Sequence, residues 1–233
     1  MPTDRLTPAQ LEELRQFGTC TVSNAIETFG VRPRNAGFAD ARIRCMFEDF
    51  PHPMVGYAAT ALVRTSVPPI YGQDFYDRTD WWNHILQIPE PRVVVVGDVD
   101  HKPGRGSFVG EVHANILLAL GCIGLVTNGA VRDLPAVHAA GFQMFAGNVS
   151  VSHAFAHIFE SGGTVEVGGL KIRPGDLLHG DRHGILTIPL DIADRVPEVA
   201  RGLLDREQRI VEFCRSPDFS LEKLLEALKS LKR

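Results

Sequence analysis

The chain has 233 residues, a formal net charge of −4 and 44% hydrophobic residues. That composition is ordinary for a globular protein and excludes a disordered chain. With 24 Lys and Arg against 28 Asp and Glu, binding to nucleic acid through bulk positive charge is excluded too. No apolar run approaches the ~18 residues of a membrane span.

Residues 7–17 read as an amphipathic helix, with Thr7 as cap, Pro8 in the first turn and Gln10 closing a capping box. A second helix is expected over 19–29, stopped by Gly30. Residues 54–64 read as a strand, and 66–80 as a polar, aromatic, Pro-containing loop. The β-branched run 92–98 reads as a strand buried on both faces. Then helix 111–120 (stopped by Gly121), strand 123–127, helix 133–140 and strand 142–145 alternate. That order argues for a parallel sheet with right-handed crossovers. Residues 164–172 read as a hairpin around Gly168-Gly169, followed by short strands at 177–179 and 185–189 with a turn at 180–184. The tail, 191–232, reads as helical with a break at Ser216-Pro217. One domain over 1–233 is expected, with its core at about 18–212.

The four cysteines (Cys20, Cys45, Cys122 and Cys214) are scattered, without a C-x-x-C pair. The opening segment lacks the basic-then-apolar order of a secretory signal. Both observations favour a reducing, cytoplasmic setting over a disulfide framework or a structural zinc.

Catalytic groups on α/β sheets collect where strands end and helices begin. Two such junctions stand out. Residues 104–111 form a glycine-rich loop leading into a helix whose first-turn amides, those of Val112 and His113, suit an anion. The plain alternative is a flexible loop with Glu111 complementing the helix dipole. Residues 127–133 leave an apolar strand through an Asn128-Gly129 turn to Arg132 and Asp133. Here the plain alternative is Asp133 as a helix cap, with Pro135 in the first turn. The functional reading is a carboxylate ligand for a hard cation such as Mg²⁺, beside a guanidinium suited to an oxo-acid. His179 and His183 are four residues apart in a turn-rich region, as are His153 and His157 in a segment read as helical. No third zinc ligand accompanies either pair, so surface or structural roles are expected.

The stretch 110–134, GEVHANILLALGCIGLVTNGAVRDL, resembles the RraA-like family, in which an acidic residue is followed after twenty residues by Arg-Asp. Here Glu111 is followed by twenty residues and then Arg132-Asp133. Segments 54–60 (MVGYAAT) and 167–189 (VGGLKIRPGDLLHGDRHGILTIP) match in order, and the likeness covers about 18–212. The resemblance implies a compact α/β/β sandwich of the phosphohistidine-swivelling type with helical N- and C-terminal segments, in trimers or hexamers. On its class II pyruvate aldolase branch, it implies an Asp (here Asp133) holding Mg²⁺ or Mn²⁺ directly. Glu111 would hold the metal through water. Arg132 would contact the pyruvate unit, and Gly110, Val112 and His113 would bind its carboxylate. Glu207 is a candidate for a carboxylate supplied by the neighbouring subunit. Two positions depart from that branch: Glu111 stands where Asp is usual, and Asn128 where an Asp is usual.

These expectations give a metal-dependent lyase. It would cleave a 4-hydroxy-2-oxo acid to pyruvate and a second carbonyl compound, and decarboxylate oxaloacetate. An alternative from the same resemblance is a non-catalytic regulator that binds a ribonuclease. A third reading, a phosphate-handling domain using His113 or His183, has only the glycine loop behind it. The expected partners are a 2-oxo acid and further copies of the chain, with no nucleic acid and no membrane. The aromatic loop 66–84, with Tyr71, Phe75, Tyr76, Trp81, Trp82, Asn83 and His84, is read as a packing lid or as the wall of a specificity pocket.

Overall fold

The computed structural model describes residues 5–69 and 79–230. In chain order the elements are α1 (Pro8–Leu14), α2 (Thr19–Thr28), β1 (Arg44–Cys45), β2 (Met54–Arg64), α3 (Thr79–Gln87), β3 (Arg92–Asp98) and β4 (Ser107–Val109). There follow α4 (Glu111–Ala119), β5 (Cys122–Val131), α5 (Leu134–Ala139), β6 (Gln143–Val149) and β7 (His157–Ser161). The chain continues through β8 (Val165–Val167), β9 (Leu170–Ile172), β10 (Leu177–Asp181), β11 (Gly184–Ile188), α6 (Val196–Arg215) and α7 (Leu221–Ser230).

The main sheet runs β1-β6-β5-β3-β2-β10-β11, with β4 beside β5 and β7 beside β2. Strands β2, β3, β5 and β6 pair in parallel, as the alternating pattern of strands and helices requires. Phe38 bridges to Leu186 on β11, and a few residues later Arg44 pairs with Ala146 on β6. That segment therefore runs from one sheet edge to the other, and the sheet nearly closes.

Strand β3 explains the layering. All seven of its residues are buried. Val94 and Val96 face the cluster built with Leu14, Ile26, Trp81, Leu117 and Val137 of the helices. Val93 and Val95 face the opposite cluster, with Val165, Val167, Leu170 and Ile172 of the β8-β9 hairpin. Burying each such valine contributes roughly 1.5–3 kcal/mol, so neither face of the sheet is stable uncovered. Helices, sheet and hairpin form an α/β/β sandwich, as the family resemblance implied.

The local signals hold at the ends of elements. Thr7 Oγ1 accepts the Gln10 N–H and Gln10 Oε1 accepts the Thr7 N–H, so the capping box is formed. Gly168 and Gly169 both adopt positive φ, as a two-residue hairpin turn demands. The break in the tail falls at Ser216, the C-cap of α6.

Four expectations are corrected. Asn128-Gly129 is not a turn: β5 runs through it to Val131. The Asn128 side chain, accepting from the Asp98 N–H at 2.7 Å and donating to the Asp98 carbonyl at 2.9 Å, holds the two strand ends together. Residues 153–157 are not helical; Ala154 has φ +47°, and His157 starts β7 against β2. The loop expected over 66–84 ends earlier, because Trp81, Trp82, Asn83 and His84 lie on α3, with Trp81 in the core. Tyr71, Phe75 and Tyr76 lie outside the described residues. The turn expected over 180–184 is shorter: β10 and β11 pair as far as Asp181 and Gly184, leaving only Arg182 and His183 between them, while the hairpin β8-β9 forms as expected in its own sheet.

Candidate functional site

The two junctions singled out in the sequence meet in space. Strand β4 pairs in parallel with the end of β5, Ser107 with Ala130 and Val109 with Val131. The Arg132 N–H then donates to the Val109 carbonyl at 3.1 Å. The chain therefore leaves both strands side by side, Gly110-Glu111 from one and Arg132-Asp133 from the other. The close approach needs the glycine: a Cβ at Gly110 would lie 2.4 Å from Asp133 Oδ2 and 2.9 Å from Arg132 Cγ.

Asp133 is the N-cap of α5, but its side chain does not cap that helix. Its backbone is left-handed, φ 55° and ψ 37°, a conformation disfavoured for residues other than glycine and less so for Asp and Asn. Its carbonyl still accepts from Val137 N–H in the first turn of α5. The left-handed turn sends the carboxylate to the other junction, where Oδ2 accepts the Glu111 N–H at 3.1 Å. The capping expectation therefore fails and the carboxylate is kept for the site.

Arg132 Nε lies 3.3 Å from Asp133 Oδ2, an ionic contact outside hydrogen-bond geometry. That nitrogen is shielded from solvent and has no hydrogen-bond partner in the structure. The ladder of α4 opens with Ala114 N–H donating to Gly110 O at 2.9 Å, so the amides of Val112 and His113 lie ahead of it. Around these groups is a cavity of about 340 Å³, lined by Trp82, Phe108, Gly110, Glu111, Val112, His113, Ile116, Arg132, Asp133 and His153. A larger groove of about 640 Å³ between residues 40–46 and 146–149 is wide open. It lacks this convergence of helix terminus, carboxylates and arginine.

A divalent ion fits the donors present. Asp133 and Glu111 supply hard carboxylate oxygen, the class Mg²⁺ and Mn²⁺ prefer. The solvent-shielded Arg132 Nε, which has no hydrogen-bond partner, is a donor suited to an anion beside such an ion. No group of three or more His, Cys, Asp or Glu side chains that could hold a metal occurs among the described residues. Mg²⁺ keeps several waters and takes only one or two carboxylates from a protein.

The structure thus brings together Gly110, Glu111, Val112, His113, Arg132 and Asp133. It leaves Glu207 apart, exposed on α6 and outside the cavity lining. The histidine pairs separate. His179 is fully buried, its Nδ1 3.0 Å from Thr19 Oγ1 and its Nε2 3.2 Å from the Leu14 carbonyl; burial pushes its pKa down to about 4. His183 sits on the surface against Asp181. His153 reaches the cavity, whereas His157 bonds the Phe155 carbonyl.

Sequence reasoning missed part of the lining: Phe108, Ile116 and His153. Val112 and Ile116 stand four apart on one face of α4, a signal that was available. His153 gave none. It is placed by the close approach at Gly106, where a Cβ would lie 2.4 Å from the His153 carbonyl, and by a bond from His153 Nδ1 to the Ser107 carbonyl at 3.1 Å. Below the site, Asp98 is 3% exposed and accepts the N–H groups of Gly104 and Asp100. Burial raises its pKa against those bonds. It shapes the glycine loop and does not line the cavity.

The chain is similar to several known proteins. It is 31% identical over 110 residues to a Halalkalibacterium halodurans protein provisionally named 4-hydroxy-4-methyl-2-oxoglutarate aldolase, a match covering 45% of this chain and 52% of that protein. The chain spans only 21% to 56% of the length of the curated relatives it matches. Among solved structures, an uncharacterized protein of Pseudomonas syringae pv. tomato superposes with a TM-score of 0.73 at 22% identity, covering 99% of this chain and 97% of the other. RraAS2 of Streptomyces coelicolor, titled an unusual member of the RNase ES inhibitor RraA protein family, gives 0.65 at 21% identity, covering 92% and 99%. These two likenesses establish the fold. The family model RraA-like, described as Aldolase/RraA, matches residues 19–187, and the chain belongs to that family.

Proposed function

We propose that the protein is a divalent-metal-dependent carbon–carbon lyase. It would cleave a 4-hydroxy-2-oxo acid to pyruvate and a second carbonyl compound, and decarboxylate oxaloacetate through the same pyruvate enolate. The observation that carries this reading is the Asp133 carboxylate, turned by a left-handed backbone onto the α4 amide beside Arg132 rather than spent on capping α5. The H. halodurans aldolase supports it at the level of the family.

Asp133 would hold the Mg²⁺ or Mn²⁺ ion directly and Glu111 would hold it through a water. When bound, the ion supplies a Lewis acid for the 2-oxo group. The amides of Val112 and His113, ahead of the α4 ladder, receive the substrate carboxylate, and Gly110 allows it to approach the backbone. The Arg132 guanidinium stands where negative charge develops on the 2-oxo oxygen. In the cleavage the C3–C4 bond breaks, its electron pair stays on C3, and the C4 hydroxyl loses its proton as C4 becomes a carbonyl. One proton returns to C3 and completes the methyl group of pyruvate. Glu111, exposed at the cavity mouth, is the carboxylate within this set that moves the C4 hydroxyl proton through water. Decarboxylation of oxaloacetate leaves the same electron pair on C3, with CO₂ in place of the carbonyl product.

The test is pyruvate release from oxaloacetate with Mg²⁺ and with EDTA, corrected for the background rate of the metal alone. Metal-dependent turnover lost in Asp133→Asn supports the lyase. No turnover by folded protein would favour the binding-protein reading. The trimer or hexamer, and Glu207 as a carboxylate for a neighbouring copy, belong to the same proposal. Light scattering and a Glu207→Gln variant test them.

A further inference from the structure

The lining of the cavity carries information that the enolate chemistry does not use. Besides Arg132, Glu111 and Asp133 it includes the side chains of Trp82, Phe108, Ile116 and Val112, with the two imidazoles of His113 and His153. Val112 and Ile116 project from one face of α4. Phe108, on β4, packs edge-on to the His113 ring at 4.9 Å between centroids. Each imidazole is tethered through Nδ1 to a backbone carbonyl, His113 to Phe108 and His153 to Ser107. The two imidazoles are therefore held in place by backbone contacts.

The charges are equally informative. Among the described residues, the fixed charges lining the cavity are one guanidinium and two carboxylates, a net of one negative charge. A divalent ion changes the charge of this one-chain lining to one positive, which the single carboxylate of a pyruvate unit neutralises; a carboxylate from a neighbouring copy, such as Glu207, would add only negative charge. Among the described residues, no Lys or Arg other than Arg132 lines the cavity to receive a second carboxylate on the substrate. Burying such a charge is strongly unfavourable. An apolar ring, by contrast, removes apolar area from water against Val112, Ile116 and the half-buried Trp82.

From this lining we infer the substrate class: a 4-hydroxy-2-oxo acid with one carboxylate and an apolar, preferentially aromatic, substituent at C4. The second product is then an apolar aldehyde or ketone, such as an aryl aldehyde, and not an oxo-dicarboxylate. The bonds made and broken are those of the cleavage above, with no oxidant or reductant. The inference rests on the reading of the site as a pyruvate-enolate lyase.

Two measurements test it, one independent of turnover. In the first, phenylpyruvate and 2-oxoglutarate are titrated in Mg²⁺ and followed by tryptophan fluorescence. Phenylpyruvate is expected to bind at least about tenfold more tightly. Trp82→Ala should bring the ratio near unity, and Ile116→Arg should reverse it by placing a cation on the wall. In the second, kcat/KM for pyruvate release from 4-hydroxy-2-oxo-4-phenylbutanoate is expected to exceed that from 4-hydroxy-4-methyl-2-oxoglutarate by a similar factor. Equal or tighter binding of 2-oxoglutarate overturns the inference whatever the turnover. Oxaloacetate, which needs no apolar tail, separates the two claims. If it is decarboxylated while the ligands bind equally, only the tail assignment fails. If it is untouched while phenylpyruvate binds better, only the lyase reading fails.

Discussion

Asp133 Oδ2 accepts the backbone N–H of Glu111 at 3.1 Å, joining two segments that are 22 residues apart in sequence. One hydrogen bond thus ties the start of α4 to the end of β5 and places two carboxylates and an arginine around one cavity. The left-handed backbone that aims Asp133 costs on the order of 1 kcal/mol. Asp133→Gly should relieve that cost while losing the bond to the Glu111 N–H, about 0.5–1.5 kcal/mol, and so leave thermal stability close to that of the wild type, while metal-dependent pyruvate release is lost. A loss of several degrees in Tm would mean that Asp133 is a structural residue first.

Gly110 tests the same junction sterically. Its φ of −134° is open to any residue, so an alanine there meets only the crowding against Asp133 and Arg132. Gly110→Ala should cost about 1–3 kcal/mol in urea unfolding, the usual range for overpacking. It should lower pyruvate release at least about tenfold by displacing the carboxylate. Unchanged kinetics would show that the close approach is incidental.

Asn128 should matter for stability more than for chemistry. Its two hydrogen bonds to the Asp98 backbone close the ends of β3 and β5. Asn128→Asp keeps the acceptor and removes the donor, setting a carboxylate against the Asp98 carbonyl. The expected loss is about 1–3 kcal/mol, measured by denaturant titration. An unchanged midpoint would contradict the clamp.

His179 gives a pH dependence with a definite sign. Its folded pKa is pushed down to about 4 by burial, against an ordinary value near 6.5. Above pH 6.5 the ring is neutral in both states and contributes no penalty. As pH falls from 6.5 to 4 the unfolded chain takes up the proton first, so stability falls, by at most about 1.4 kcal/mol per pH unit. Asp181, whose pKa is lowered by bonds from Thr19 and His183 against the effect of burial, loses its contribution only below about pH 4. Unfolding free energies at pH 7, 5.5 and 4.5 should therefore decline in the wild type and decline less in His179→Gln.

The sequence made the frame legible wherever hydrophobic period and punctuation agreed. Strands 54–64 and 92–98 and the helix from Glu111 fall where their patterns put them. What it hid were decisions made by partners distant in the chain. Asn128-Gly129 reads locally as a turn, but Asp98 supplies the bonds that keep it in β5. Residues 153–157 carry helix-compatible spacing, but β2 recruits His157 into the sheet and Ala154 turns left-handed to reach it. Spacing and family likeness pointed to Glu111, Arg132 and Asp133, which the structure brings to one cavity. Trp82 was named as a pocket-wall candidate and does line the cavity, but Phe108, Ile116 and His153 were missed, because they come from β4, α4 and the segment before β7.

The central claim is that this cavity makes a pyruvate enolate, and exchange of the methyl protons of pyruvate tests it without any assumption about the natural substrate. Pyruvate would be incubated in D₂O with the protein and Mg²⁺, and loss of its methyl proton signal followed by NMR. The account predicts exchange well above the buffer-and-metal rate, abolished by EDTA and by Asp133→Asn. Exchange no faster than the background with folded, Mg²⁺-supplied protein, or exchange that survives Asp133→Asn, would contradict it.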